Sequence, residues 1–141
     1  MKILKVISAF SLILILASCS GTGSSYSSVK YEVDQAEGKV FVLRDTGWSC
    51  SACLITVNLN GKRIGKIGNK EVVIGNIESG TNYIKAEVAG IQSIGLNGTS
   101  ARFNSGLKTN KFFVLTQTVG LVSAKMKLLE TSETSWRSQA N

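Results

Sequence analysis

Residues 54–67 read LITVNLNGKRIGKI, and this stretch decides the fold class. Ile55, Val57 and Leu59 fall on one side of an extended chain, with Thr56 and Asn58 on the other. That alternation is the period of a half-buried strand. Asn60-Gly61 follows at once, the dipeptide favoured where both central residues of a two-residue hairpin loop need positive φ. The hairpin register pairs Leu59 with Lys62 and Val57 with Ile64, and the second pair sets apolar against apolar.

Short apolar runs of strand length continue on both sides. Upstream, KVFVLR (Lys39–Arg44) is apolar on both faces and reads as a central strand covered twice. Downstream, 71–77 and 81–88 flank a turn at Glu78-Ser79-Gly80. Residues 91–105 are rich in Gly, Asn and Ser, with a turn at Asn97-Gly98 and a short strand at 101–103. Residues 111–118 read as a second well-buried strand, and 121–128 as a half-exposed one. The chain has no proline, so its turns must come from Gly, Asn, Asp and Ser. No segment carries a long apolar stripe at helical spacing. The expected fold is all-β, a small single β-sandwich or open barrel of about seven or eight short antiparallel strands. It should occupy residues 38–130, followed by a polar, loose tail at 131–141 in which only Trp136 is large and apolar.

The amino terminus reads differently. Lys2 and Lys5 precede a twelve-residue apolar run from Val6 to Ala17. This is too short for a bilayer core, which takes roughly 20 helical residues, and it fits the apolar region of an export signal. Leu16-Ala17-Ser18-Cys19 resembles the lipobox of bacterial lipoproteins. That resemblance implies a signal peptide at 1–18, cleavage before Cys19, and acylation of Cys19, with palmitate among the usual chains. Ser20, in place of an aspartate, implies sorting to the outer membrane, facing the periplasm. Two or more acyl chains suffice to hold a protein on a membrane. The Gly/Ser-rich run SGTGSSYSS at 20–28 then reads as part of a flexible tether spanning 19–37.

Composition excludes much chemistry. There is no histidine, so Ser–His and Cys–His catalysis and imidazole metal sites are absent. The nine acidic residues are scattered, with no pair spaced for general acid–base work, so no catalytic residue, cofactor or nucleic-acid partner is expected. Without its signal the chain keeps 123 residues, with fourteen basic against nine acidic side chains, a net charge of +5. Lys62, Arg63, Lys66 and Lys70 concentrate part of that surplus along the hairpin. They suit contact with anionic lipid or a cell-wall polymer, or a solvated strand edge guarded against pairing.

GWSCSAC at 47–53 is the other candidate site. Export favours disulfides, so Cys50 and Cys53 read first as a local disulfide or an inert pair. A redox pair needs a helix N-terminus to lower a thiolate pKa, whereas LITVNLNG follows here, and Trp48 stands one residue too far from Cys50 for the W-C-x-x-C pattern. The stretch also resembles the G-M-x-C-x-x-C loop of heavy-metal-associated domains, which hold Cu(I) between two thiolates. Gly47, Cys50 and Cys53 match that loop; Trp48 replaces its methionine, and the helix that should follow is missing. Closed zinc coordination would need two further ligands. Trp48 reads as a packed aromatic beside the loop or as a binding side chain.

Three features together resemble bacterial lipoproteins of the DUF2846 family: KVFVLR, the hairpin VNLNGKRIGKI, and IESGTNYIKAEV. Asn60-Gly61-Lys62 stands at that family's Asp-Gly-Lys element, Ile64-Gly65 at its IG step and Gly80 at its turn glycine. GLKTNKFFVLTQ resembles its A-G-K-x-Y-Y-V strand entry. The likeness covers roughly residues 39–117; the proline before Gly80 and the histidine after it are missing, and Asn-Lys-Phe-Phe replaces Gly-Lys-x-Tyr-Tyr. The PEGA module carries similar turns. Either resemblance implies a β-sandwich-like envelope domain and no enzyme. The expected function is thus a membrane-anchored envelope lipoprotein with a non-catalytic binding or structural role, toward an envelope protein or cell-wall polymer. The alternative is a periplasmic thiol protein, metal-binding or redox, that uses Cys50 and Cys53.

Overall fold

Burial on both faces of Lys39–Arg44 (β2) sets the layering of the protein. A computed structural model describes residues 22–45, 53–88, 96–119 and 124–141. Val40 and Val42 point into a core shared by two sheets, together with Ile55, Val57, Ile67, Ile84, Phe113 and Leu115. Phe41 and Leu43 point the other way, into a second apolar cluster with Val72, Phe112 and Val114.

The first sheet has six strands: β1 (Ser24–Ser25), β5 (Glu71–Asn76), β2, β9 (Lys111–Val119), β10 (Ala124–Thr131) and β7 (Leu96–Asn97), in that order. The second runs β4 (Lys62–Ile67), β3 (Ile55–Leu59), β6 (Gly80–Val88) and β8 (Thr99–Ser105). The result is a small β-sandwich, as the strand pattern predicts. Ten strands form among the described residues, and two pairings are parallel, not antiparallel. β2 lies parallel to β9 with Val40 opposite Lys111, and between them the chain lays down all four strands of the second sheet as well as β5 and β7 of the first. A parallel pair needs such a long crossover.

The hairpin loop forms as the dipeptide predicts: Asn60 has φ 51° and Gly61 φ 80°. Leu59 pairs with Lys62 as expected, but Val57 pairs with Gly65 and not with Ile64. A bulge between Val57 and Asn58 leaves Ile64 as the extra residue on β4. Its side chain reaches toward Gly75, where an added Cβ would meet Ile64 Cδ1 at 3.2 Å.

Composition misleads at both ends of the domain. Residues placed in a flexible tether form β1 and a helix, α1 (Tyr26–Gln35). Those placed in a loose tail form a second helix, α2 (Glu133–Ala140), started by Ser132, whose Oγ accepts from Ser135 N at 3.2 Å. The folded unit thus extends beyond 38–130 on both sides. Tyr26, Val29 and Val33, three and four residues apart, make an apolar stripe that starts in the serine-rich run and continues past it; Trp136 and Ala140 do the same in the tail. Both stripes cover the outer face of the first sheet.

Trp136 fixes that cover. It is fully buried, its ring lies 5.4 Å from Phe112 and 5.7 Å edge-on to Tyr26, and Nε1 donates to Phe113 O at 3.1 Å. Arg137 links the helices, donating to Asp34 and Glu133 at 2.7 Å and to Tyr26 Oη at 3.2 Å. Burial opposes its charge, but these hydrogen bonds outweigh that and raise its pKa. Trp136→Ala should lower unfolding stability by about 3–5 kcal/mol, read as a shift of the urea midpoint; a change under about 0.5 kcal/mol, the size expected at a surface site, would contradict this packing.

Candidate functional site at the two ends of the sandwich

The strands rise and fall between two ends, and the sequence-predicted residues divide between them. One end carries the start of β2, the β3–β4 loop and the end of β5. The other carries the end of β2, the entry to β3 and the β4–β5 turn.

Cys53 belongs to the second end. It is buried, 1 % exposed. Cys19, Cys50 and Trp48 lie outside the described residues. Cys53 O accepts a hydrogen bond from Arg44 Nη1, which also donates to Ile67 O at 3.4 Å. Arg44 ends β2 in the first sheet, while Cys53 leads into β3 and Ile67 ends β4 of the second, so the guanidinium ties the sheets together. Burial lowers the pKa of Arg44, an effect opposed by the nearby carboxylates of Asp45 and Glu71. In the sequence Arg44 reads only as the last residue of a strand, and the signal it offers is an arginine closing a strand apolar on both faces. Arg44→Met should leave the carbonyls of Cys53 and Ile67 without this donor and destabilise the fold by about 1–3 kcal/mol in urea titration. Lys70→Met, at an exposed position nearby, should stay within about 0.5 kcal/mol.

The basic cluster does not hold together. Lys62 and Arg63 stand exposed at the hairpin loop. Lys66 lies along β4, half-buried, with its backbone engaged by the chain's entry segment. Lys70, at φ 57°, sits in the β4–β5 turn at the opposite end, and its Nζ donates to Gln139 O at 2.9 Å. A four-residue basic contact surface is therefore replaced by two cations at one end, one mid-edge and one far away.

The hairpin end is rigidly built. Asn82 is fully buried, and its side chain accepts from Glu78 N at 3.0 Å and donates to Glu78 O at 2.8 Å. Asn60 joins it through Nδ2 to Asn82 Oδ1 at 2.9 Å and receives Tyr83 N on its own Oδ1 at 2.8 Å. These amides lock the loops before β4 and β6 to each other. Beside them, a groove of about 510 Å³ runs between α1, β5 and the hairpin, with Glu32, Lys39, Lys62, Ile64, Ile74 and Glu78 along it. Its walls mix charges of both signs with aliphatic side chains.

Among the described residues, no three or more His, Cys, Asp or Glu side chains converge where a metal ion could bind, and no helix is long and apolar enough to cross a membrane. No family model, curated protein or solved structure matches the chain.

Proposed function

We propose that this chain is a bacterial envelope lipoprotein, acylated on Cys19 and held at the outer membrane on its periplasmic face, with a non-catalytic binding or structural role. The observation that carries the reading is the run from Lys2 to Cys19: two cations, a twelve-residue apolar segment and a small-residue approach to a cysteine. The turn chemistry at Asn60-Gly61 and Gly80, with its likeness to DUF2846 lipoproteins, supports the same assignment. The partner in this reading is an envelope protein or cell-wall polymer, recognised by a rigid surface and not by a reactive group.

Cys50 and Cys53 serve in this proposal as a structural disulfide. Cys53 is buried and its carbonyl takes the guanidinium of Arg44, so its backbone is committed to the core. A redox or metal-binding thiol has to be reachable, and reactive cysteines lie in partly exposed, electropositive surroundings. Mature protein denatured without reductant should show no titratable thiol. Two thiols that Cu(I) protects would instead favour the thiol-protein reading.

The anchor is tested directly. Cys19→Ala should move the protein from the membrane pellet to the soluble fraction, because no acyl chain is then attached. Continued sedimentation with membranes would sink the lipoprotein assignment.

A further inference from the structure

The chain enters the described fold held on two strands at once. Gly23 N donates to Lys66 O at 2.9 Å, and Lys66 N donates to Thr22 Oγ1 at 2.8 Å. Ser24 and Ser25 pair antiparallel with Val72 and Glu71. Close approach is possible because β4 carries Gly65 here; a Cβ on it would meet Val73 Cγ1 at 2.7 Å and Thr22 Oγ1 at 2.9 Å. Followed backward from Ser25 to Thr22, the chain advances along β5 toward Asn76 and along β4 toward Lys62. It is therefore aimed at the hairpin end of the sandwich. Cys19 lies three residues before Thr22, a contour of about 10 Å. Lys62 lies four strand steps before Lys66, about 13 Å.

That end carries side chains suited to a bilayer surface. Lys62 and Arg63 are exposed and have no carboxylate partner among the described residues. The 106–110 turn packs against Gly38 beside the start of β2, where a Cβ would meet Leu107 O at 2.6 Å, so the turn stands at the same end. It presents Leu107, 79 % exposed, next to Lys108. Lys108 faces Glu37 at 3.7 Å in an exposed pair, which leaves its ammonium free to exchange partners. Glu78 also stands here, so the cationic surplus is modest and an apolar contact has to share the work.

We propose that the domain docks end-on against anionic lipid headgroups of the membrane that holds Cys19, through Lys62, Arg63, Leu107 and Lys108, with the Cys53 end facing away. This rests on the lipidated-Cys19 reading. A tether of three residues keeps these cations within about one Debye length of the surface, where each changes membrane binding about fivefold. Leu107 inserts at the headgroup boundary as interfacial apolar side chains do.

Lysine acetylation followed by mass spectrometry tests the orientation. Lipidated mature protein would be placed in vesicles of equal parts phosphatidylglycerol and phosphatidylcholine and compared with Cys19→Ala protein in buffer. Lys62 and Lys108 should react at least about threefold more slowly on the vesicles, given the fivefold effect of each cation. Lys125 and Lys127, exposed on β10 near the other end, should be unchanged. Protection of Lys125 and Lys127 instead, or of all four alike, overturns the proposal. So does undiminished protection in pure phosphatidylcholine, since charge would then play no part. The surface variant Lys62→Gln/Arg63→Gln/Leu107→Ser should restore Lys108 reactivity while the protein still floats with the vesicles; continued protection of Lys108 in that variant also overturns it. If the unaltered protein fails to float at all, the anchor reading itself has failed.

Discussion

The structure depends on one constraint: the six-stranded sheet is apolar on both faces. Phe41, Leu43, Phe112 and Val114 alternate with Val40, Val42, Phe113 and Leu115 along β2 and β9, and all eight side chains are buried. The four-stranded sheet covers only one set. The other set would face water, at a cost that grows with each exposed aromatic ring. The chain meets it by laying two helices on that outer face, α1 before β2 and α2 after β10, with Trp136 between Tyr26, Phe41 and Phe112.

That solution determines how the amino terminus leaves the domain. α1 has to lie over β5 and β2 to bury Val29 and Val33, so the residues before it must pass the open edge between β5 and β4. They pass it as a strand, pairing with β5 and bonding to Lys66. An exposed strand edge is a site for unwanted pairing. Here the entry segment occupies part of the β4 edge and β5's outer edge together, so the same four residues, Thr22 to Ser25, protect both edges. The glycines at positions 23 and 65 are what permit it, since a Cβ at Gly23 would meet Glu71 Oε2 at 2.7 Å.

The strands were legible because their signals are local. Alternation in LITVNL, the Asn60-Gly61 dipeptide and the two-faced KVFVLR each name their own structure, and each forms as read. The helices were not legible for the opposite reason. Serine and glycine dominate the run before Val29, and polar residues dominate the run around Trp136, so composition points to solvent. Only five apolar side chains, Tyr26, Val29, Val33, Trp136 and Ala140, carry the helical spacing, and their partners are supplied by strands distant in sequence. The bulge at Ile64 escaped for a related reason. Gly65 must face Val73 and the entry strand, a demand that comes from the second sheet and is invisible in the hairpin alone.

The same separation of local from distant information applies to the candidate sites. Four basic residues within nine positions read as one patch, yet a strand six residues long spans the sandwich from one end to the other. Lys70 is turned toward α2, whereas Lys62 and Arg63 stay with the hairpin loop. Likewise Cys53, which sequence places in an isolated loop motif, is joined to the core by Arg44, the last residue of β2. Any opening of the backbone at Cys53 withdraws an acceptor from a buried guanidinium, and a buried charge that loses a partner is costly. The cysteine end is thereby bound into the stability of the fold, and the hairpin end presents Lys62, Arg63 and Leu107 exposed.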